Sequence, residues 1–205
     1  MNKTLQTDIV VIGAGPGGYT AAFRAADLDK KVTIIDKESS LGGVCLNRGC
    51  IPSKALLHLS KLINDAKKAE KKGVFFGPPK ININKIREWK NSIVDSLSLG
   101  IKQLSRARNI TVIKGQASFK SENEIIIEEN DKTIILSFKN AIIATGSIST
   151  EIPFLPKTSK KILYSKQALE ILDIPKKILI VGCGYIGLEM GTVYSSLGSK
   201  VSMIE

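Results

Sequence analysis

Two cysteines lie five positions apart in a glycine-rich segment, and residues of this type and spacing could carry out redox chemistry. They are Cys45 and Cys50, with Gly42 and Gly43 before them and Gly49 between them. On an ideal helix, Cα atoms five residues apart lie roughly 8–9 Å from each other. A disulfide requires a Cα separation below about 7 Å. If the two cysteines form a disulfide, the backbone between them must therefore depart from a regular helix, and Gly49 provides the freedom.

Other roles for the two cysteines are less well supported by the sequence. His58 is the only histidine of the chain, so nothing completes a tetrahedral zinc site, and we predict no metal. The spacing also differs from that of a c-type haem motif. Two inert buried thiols remain an alternative. In the reducing cytoplasm, a close cysteine pair is more often catalytic or metal-binding than structural.

Two glycine-rich turns indicate a second kind of chemistry, the binding of dinucleotides. Each has the pattern G-x-G-x-x-G between a predicted strand and a predicted helix. The glycines are Gly13, Gly15 and Gly18 in the first turn and Gly182, Gly184 and Gly187 in the second. The first glycine of each set makes the tight turn, the second lets backbone approach a pyrophosphate, and the third lets the helix pack on the strand. The pyrophosphate would then meet the helix N-terminus.

Each glycine turn is also followed by a carboxylate at the end of the next predicted strand. Asp36 lies 18 residues after Gly18, and Glu205 lies 18 residues after Gly187. A carboxylate in this place can accept hydrogen bonds from ribose hydroxyls and repels the additional phosphate of NADP. Two such sites in one chain predict a flavin and a nicotinamide cofactor, FAD and NAD, between which electrons pass.

The remaining pattern predicts the elements that position these residues. Each glycine-rich turn, or fingerprint, lies in a βαβ unit, and the first strands of the two units, at 7–12 and 179–181, are predicted to be buried. A helix with a break is predicted from near Cys45 to about Lys72, and an amphipathic helix from about Ile83 to Ser105. Short β segments occupy 110–138, and a last buried strand follows at 141–144. We therefore predict an α/β protein with a Rossmann-like FAD-binding domain at 1–149 that has a small β insertion. Residues 150–205 would be the first βαβ unit of a second, NAD-binding Rossmann-like domain.

Composition and charge exclude several other classes of function. The net charge is +11, but the lysines are scattered and those of 61–72 alternate with apolar residues, as on a solvated helix face. We predict no nucleic-acid partner. The first apolar run, 9–12, is too short for a secretory signal, and no stretch is long enough to span a bilayer. We therefore expect a cytoplasmic protein without a membrane partner.

The segment Leu41–Leu57 resembles the redox-active disulfide motif of the pyridine nucleotide–disulfide oxidoreductases. Within that family, Gly-Cys-Ile-Pro-Ser-Lys-Ala-Leu-Leu at 49–57 is most similar to the dihydrolipoamide dehydrogenases, since glutathione reductases usually have Lys where Ser53 stands. A related mercuric or glutathione reductase-like enzyme and a non-catalytic nucleotide-binding fragment are the alternatives. The intact cysteine pair disfavours the fragment, and Glu205 disfavours an enzyme that prefers NADP.

The resemblance implies a role for each site residue. Cys45 would exchange with the dithiol substrate, Cys50 would contact the flavin, and Lys54 would lie beside the flavin, paired with Glu189. The implied FAD site comprises Gly13, Gly15, Pro16, Gly18, Asp36, Lys37, Gly43, Lys54, Gly115, Ala117, Ala144, Thr145 and Gly146, and the implied NAD site comprises Gly182, Gly184, Tyr185, Ile186, Gly187 and Glu205.

The resemblance also implies the reaction and the partners. Dihydrolipoamide dehydrogenases oxidise protein-bound dihydrolipoyl groups with NAD⁺, and they serve the lipoyl-bearing proteins of 2-oxo acid dehydrogenase complexes as homodimers. The family's acid–base histidine lies near the carboxyl terminus, and His58 does not match it. We therefore expect these 205 residues alone to be inactive as a dehydrogenase.

Overall fold

A computed structural model describes residues 3–130, 132–150, 152–153, 155–156, 159 and 161–205. Within these ranges the chain is an α/β protein, as predicted. In chain order, its elements are β1 (Lys3–Ile12), α1 (Pro16–Ala26), β2 (Val32–Asp36), α2 (Gly43–Arg48), α3 (Cys50–Glu70), α4 (Ile83–Ala107), β3 (Thr111–Lys114), β4 (Gln116–Phe119), β5 (Glu124–Glu129), β6 (Lys132–Ile143), α5 (Ser165–Glu170), β7 (Lys177–Val181), α6 (Tyr185–Leu197) and β8 (Lys200–Ile204).

The chain divides into two compact units, and each unit combines two segments. The first comprises Met1–Asn47 and Asp95–Ile148, and the second comprises Arg48–Val94 and Ser149–Glu205. The later boundary lies beside the one predicted near residue 150. Residues 48–94, however, group with the second unit, so the domain assignment of 1–149 and 150–205 stays a prediction.

The first unit is built on a six-stranded mixed sheet with the order β3-β2-β1-β6-β5-β4. Strands β3, β2, β1 and β6 are parallel, whereas β5 and β4 add antiparallel pairs at one side. The run Val-Thr-Ile-Ile of β2 is buried at every position, as is typical of a parallel strand that is covered on both faces. The antiparallel strands correspond to the predicted β insertion.

The core of the first unit joins the parallel and antiparallel parts of this sheet. Val10 and Ile35 from the parallel strands cluster with Ile125, Ile127 and Leu136 from the insertion, and all five side chains are at most 1% exposed. Burial of branched side chains on this scale, about 1.5–3 kcal/mol for each, stabilises the sheet as one piece.

The second unit contains the parallel pair β7–β8, with α6 as the crossover helix. Helix α6 also packs against α3, and Leu56 of α3 joins Val193 and Tyr194 of α6 in one apolar cluster. The phenol of Tyr194 is buried and donates a hydrogen bond to the carbonyl of Ala168, at 2.9 Å. Burial raises the pKa of Tyr194 to about 12.

Several predicted elements differ from those in the structure. Strand β1 begins at Lys3 rather than near residue 7, because its first half pairs with β6. The predicted final strand at 141–144 is the end of the 12-residue β6. Strand β7 was predicted to be buried, yet Leu179 and Val181 are 59% and 62% exposed on one face. The short helix α5 was not predicted.

The first glycine fingerprint packs α1 directly onto the turn that precedes it. A Cβ atom on Gly18 would collide with the carbonyl oxygen of Gly13, whereas a Cβ on the neighbouring Gly17 would have no atom within 4 Å. Both glycines lie in α1, which begins with Pro16 at a position where proline is favoured. The third glycine of the fingerprint is thus required by the protein's own packing.

We expect Gly18→Ala to lower the free energy of unfolding by about 2–3 kcal/mol, because backbone must move to admit the methyl group. Gly17→Ala is the matched control and should be neutral or stabilising by up to about 1 kcal/mol, since alanine favours the helix. Urea unfolding followed by circular dichroism measures both. Equal stability of the two variants would contradict the packing argument.

Candidate nucleotide and redox site

The first fingerprint lies at the edge of the large sheet where its central parallel strands end. Strands β1, β2 and β6 run in the same direction, so Ile12, Asp36 and Ile143 reach this edge together. The chain leaves β1 toward β2 on one side, while β6 pairs with β1 on the other. In open α/β sheets, the crevice outside such a reversal of strand order is where ligands bind.

Gly13 makes the turn at this edge and packs against the end of β6. Its φ of +104° lies in a region that favours glycine. A Cβ there would lie 2.8 Å from the carbonyl carbon of Ala144 and 3.3 Å from the Cα of Thr145. The predicted segment Ala144-Thr145-Gly146 is therefore brought against the first fingerprint, with Thr145 and Gly146 exposed.

Gly15 differs from its two partner glycines because the described protein atoms leave space beside it. Its φ is an ordinary −71°, and an added Cβ would meet one described atom within 4 Å, the Cα of Gly43 at 3.9 Å. Gly43, with φ +60°, has the opposite constraint, since its Cβ would lie 2.6 Å from the Cα of Gly15. The backbones of Gly15 and Gly43 are therefore close together on the side of Gly43 from which a side chain would extend. On the corresponding side of Gly15 there is still room for a ligand.

Asp36 ties this crevice together through backbone hydrogen bonds. Its carboxylate accepts from the N–H of Ala14 at 2.6 Å and from the N–H of Glu38 at 2.8 Å. Its carbonyl accepts from the N–H of Gly115 at 2.8 Å. A carboxylate offers about four lone-pair sites, so two hydrogen bonds leave capacity for a ribose hydroxyl.

The other predicted FAD-site residues of the first unit lie on or beside the same strands. Gly115 is buried, and its Cβ would lie 2.6 Å from a methyl group of Ile127. Ala117 is half-buried and pairs with Ile127 across the β4–β5 ladder. Pro16 and Lys37 are exposed.

The second fingerprint repeats this local structure in the second unit. Gly182 has φ +101°, and a Cβ on Gly187 would collide with the Gly182 carbonyl oxygen. Gly184 again has an ordinary φ, of −63°, and its Cβ would meet no described atom within 4 Å. Glu205 accepts a hydrogen bond from the N–H of Cys183, as Asp36 does from Ala14.

Two further residues predicted for the NAD site begin helix α6. Tyr185 is 73% exposed and Ile186 is 43% exposed. They follow Gly184 directly, so the free backbone N–H groups at the start of α6 lie next to the open space beside Gly184.

The two cysteines lie on consecutive helices with a break between them. Cys45 is half-buried on α2, and Cys50 is exposed as the first residue of α3. Gly49 separates the helices with φ −146° and ψ −114°, far from helical values. The predicted departure from a regular helix is therefore present at Gly49. Helix α3 then begins at Cys50.

Lys54 and Glu189 form the ion pair that the resemblance implied. The Lys54 ammonium lies 2.5 Å from a Glu189 carboxylate oxygen, and the side chains are 60% and 19% exposed. Burial alone would raise the pKa of Glu189. Hydrogen bonds from Lys54 and Ser53 and the charge of Lys54 lower this pKa by a larger amount, so the net pKa is below the ordinary value. The ion pair therefore stabilises the folded state at pH values above the ordinary pKa of glutamate. This stabilisation is lost as the pH falls through the lower pKa that Glu189 has in the folded state.

Two side chains for which the sequence predicted no contact, Asn47 and Ser53, also hold this region. The Asn47 amide donates to the carbonyls of Leu41 and Gly43, at 3.2 and 3.0 Å, and so fixes the turn before Cys45. The Ser53 hydroxyl donates to the carbonyl of Cys50 at 3.1 Å. Neither contact could be predicted from the sequence, because both side chains donate to backbone carbonyls, which every residue has. The position of Ser53 directly before Lys54 is the only local clue that either residue belongs to the site.

Metal and membrane features were searched for in the described part of the chain. No three His, Cys, Asp or Glu side chains there converge in a way that could hold a metal ion. None of the described helices is both long and apolar enough to cross a bilayer.

Two sheets, each with a glycine fingerprint that a carboxylate closes, and a cysteine pair at a helix break are the features expected of the nucleotide-dependent disulfide oxidoreductases. Residues 7–205 match the family described as pyridine nucleotide-disulphide oxidoreductase, and the chain belongs to that family. The resemblance found in the sequence is thereby confirmed.

Curated relatives narrow this similarity to one branch. The chain is 49% identical to a dihydrolipoyl dehydrogenase of Vibrio parahaemolyticus and 47% identical to that of Haemophilus influenzae. All of this chain aligns with 43% of each relative. The chain therefore spans less than half the length of these relatives and is homologous to one part of them.

A solved structure has the same fold over the whole chain. It is the Cu(II) complex of an HOCl-induced flavoprotein disulfide reductase, RclA, from Escherichia coli, with a TM-score of 0.83 and 28% sequence identity. The match covers 100% of this chain and 43% of that one. The mixed six-stranded sheet and the small parallel sheet thus correspond to the fold of a flavoprotein disulfide reductase.

We expect Asp36→Asn to lower the free energy of unfolding by about 1–2 kcal/mol. The N–H groups of Ala14 and Glu38 donate to different oxygens of the Asp36 carboxylate. Asn has an NH₂ group in place of one of these oxygens, so one of the two N–H donors would face another donor. Thermal unfolding in the absence of nucleotide measures the change. Asp95→Asn, at an exposed position of α4, is the control; an equal loss there would sink the argument.

Proposed function

We propose that the chain holds FAD at the first fingerprint and NAD at the second, and that Cys45 and Cys50 form a redox disulfide. The observation that carries this proposal is the repeated behaviour of the middle glycine. Gly15 and Gly184 have ordinary φ values and open space beside them. Neither the backbone conformation nor the described packing requires glycine there, but a pyrophosphate in contact with the backbone would.

The surrounding residues fit a dinucleotide at both positions. N–H groups at the start of α1 and α6 suit a pyrophosphate, since helix N-termini attract anions. Asp36 and Glu205 follow the neighbouring strands, where a ribose would lie. A carboxylate in this place disfavours the additional phosphate of NADP, which supports NAD as the nicotinamide cofactor.

The cysteines would carry out thiol–disulfide exchange with a dithiol substrate. In the proposed step, a substrate thiolate attacks the sulfur of Cys45, a mixed disulfide forms, and Cys50 leaves as a thiolate. The second substrate thiol then releases Cys45 and closes the substrate disulfide, so two electrons remain on the cysteine pair. FAD held at the first fingerprint would supply the electron acceptor that links the cysteine pair to NAD⁺ at the second.

Lys54 and Glu189 would keep the local charge balanced during this transfer. Lys54 is the more exposed partner, and its ammonium is held in one position by the carboxylate. A fixed cation beside an electron acceptor favours the arrival of negative charge. Because Glu189 is ionised at neutral pH, the pair would be formed throughout the physiological range.

The similarity to dihydrolipoyl dehydrogenases supports dihydrolipoyl groups as the substrate class. The proposed full activity is oxidation of dihydrolipoyl groups, borne by proteins of 2-oxo acid dehydrogenase complexes, with NAD⁺ as acceptor. A homodimer in the cytoplasm is part of this proposal. The relatives that support dihydrolipoyl oxidation are covered to 43% by this chain, and the dimer and the compartment follow from the sequence resemblance.

The relay is tested with the FAD-loaded full-length gene product under nitrogen. We expect dihydrolipoamide to produce the long-wavelength absorbance that a thiolate gives beside oxidised flavin. Cys45→Ser and Cys50→Ser should abolish this response, whereas Cys183→Ser should retain it. If flavin is bound to the unchanged full-length gene product and its spectrum does not respond to dihydrolipoamide, the substrate proposal is overturned and nucleotide binding is left intact.

The FAD site is tested separately by replacing its middle glycine. We expect Gly15→Ala to weaken FAD binding at least about tenfold, a loss of about 1.4 kcal/mol, because the methyl group would occupy pyrophosphate space. The fold should be retained, since the added Cβ meets the Gly43 Cα at 3.9 Å without a clash. Quenching of flavin fluorescence on titration gives the dissociation constant.

Gly17→Ala is the matched control for this variant, because it also adds a methyl group to open space, two residues further on. It should bind FAD as the unchanged chain does. If Gly15→Ala binds equally well, the pyrophosphate does not contact this turn and the proposed cofactor site is wrong.

A further inference from the structure

A cavity of about 470 Å³ in the first unit is formed by residues that belong to neither glycine fingerprint. Three segments line it: the turn after β2, the second half of α4, and β3 with the residue before it. Among the described strands, β3 is the outermost on this side of the sheet, so the cavity borders an edge strand. No residue that lines it belongs to the FAD site implied by the sequence.

The wall that α4 contributes follows one line along the helix. Asp95, Leu99, Lys102 and Arg106 all line the cavity. Their spacings of four, three and four residues place helical side chains on the same face. With a rise of 1.5 Å per residue, Arg106 lies roughly 16–17 Å from Asp95 along the axis, and Leu99 lies between them. The cavity therefore has a carboxylate at one end, two cations at the other and an apolar side chain between them.

Apolar side chains form the middle of the cavity. Leu41 and Ile110 are each 7% exposed and belong to its packed wall. The Ser98 hydroxyl donates to the carbonyl of Leu41 at 3.3 Å and so joins α4 to the turn after β2. Leu99 and Val112, in contrast, are 53% and 45% exposed. Apolar side chains that stay this exposed within a cavity provide a surface that an apolar group of a ligand can bury.

The two cations at the end of the cavity have no counter-ion in the part of the chain that the structure describes. The side chains of Lys102 and Arg106 are exposed, and neither forms an ion pair or a hydrogen bond with a described residue. They lie one helical turn apart, so both can donate charge-assisted hydrogen bonds to the same anionic group. Asp95 is the one carboxylate among the lining residues, and it lies at the opposite end.

We propose that this cavity binds a small organic anion. The apolar body of the ligand contacts Leu99 and Val112, and its carboxylate, sulfonate or phosphate group is held by Lys102 and Arg106. Asp95 repels a second anionic group and so fixes the orientation. The volume lies within the range of roughly 300–1,000 Å³ that is typical of small-molecule sites. An inorganic anion would contact the cations alone, and an uncharged apolar molecule would leave them unpaired. The site is separate from the proposed FAD and NAD sites, so the inference goes beyond the proposed function.

The test uses anilinonaphthalene sulfonate, an aromatic sulfonate whose fluorescence rises when its rings leave water, added to the full chain without nucleotide. Its place on the chain is located by NMR of the nitrogen-15 labelled backbone amides. We expect saturable binding, with the largest shifts at Leu99, Val112 and their neighbours in the cavity wall. Absence of binding, or largest shifts outside this wall, would overturn the inference.

The cations are tested by the double variant Lys102→Ala, Arg106→Ala. It should weaken binding of the probe roughly tenfold, the effect of losing two charged donors at an exposed site. Lys67→Ala with Lys71→Ala is the matched control, because it removes two exposed cations of the same spacing at the end of α3. The control should bind the probe as the unchanged chain does. Equal losses in the two double variants would show that net charge attracts the probe, and the inference would fail.

Val112→Trp tests the cavity while both cations stay in place, and it keeps the test decisive if the alanine variant does not fold. The larger ring should fill the space beside Leu99 and weaken binding at least about tenfold. Leu104→Trp is its control, since Leu104 is 47% exposed on the same helix but does not line the cavity. If both tryptophan variants bind the probe as the unchanged chain does, the probe does not occupy the cavity and the inference is wrong.

Gly15→Ala separates this site from the proposed FAD site. The variant should bind the probe as the unchanged chain does, because Gly15 does not line the cavity. If binding is lost in Gly15→Ala and retained in Val112→Trp, the probe occupies the nucleotide crevice and the inference fails, while the proposed function stands. Since no nucleotide is present, failure of FAD or NAD to bind would count against the proposed function alone.

Discussion

The structure depends on a contact that only glycine permits, between the carbonyl of the first glycine in each fingerprint and the Cα of the third. At Gly18 and again at Gly187, a side chain would occupy the place of that oxygen. The helix is therefore pressed onto the end of the preceding strand. Its free N–H groups are then directed to the edge where the parallel strands end, which makes a nucleotide site possible there.

The same constraint explains why a carboxylate closes each turn. Once the helix is fixed, the N–H after the first glycine points toward the neighbouring strand, and a carboxylate at that strand's end accepts from it. Asp36 does this for Ala14, and Glu205 does it for Cys183. The intervening residues differ between the turns, so the geometry follows from glycine spacing and strand order rather than from the particular side chains.

Features that depend on local spacing could be predicted from the sequence, whereas features that depend on tertiary neighbours could not. The fingerprints, the break at Gly49 and the β insertion follow from local pattern. The length of β1 does not, because Lys3 is in the strand only through its pairing with β6. The roles of Asn47 and Ser53 were also hidden, since a hydrogen bond to a backbone carbonyl has no sequence signature.

Within the second unit, α3 and the helix of the second fingerprint, α6, are joined by contacts of several kinds. An apolar cluster with Leu56 and Tyr194 packs α3 on α6, and Asn64 donates to Ser196 at 3.1 Å. The Lys54–Glu189 pair adds the charged contact, close to the start of both helices. Hydrophobic contact alone is non-directional, so the polar contacts fix how the helices are aligned. The carboxylate of Glu189 is the more buried partner of the pair, so protonation of this group would remove the charged contact while the apolar cluster and the Asn64–Ser196 hydrogen bond remain.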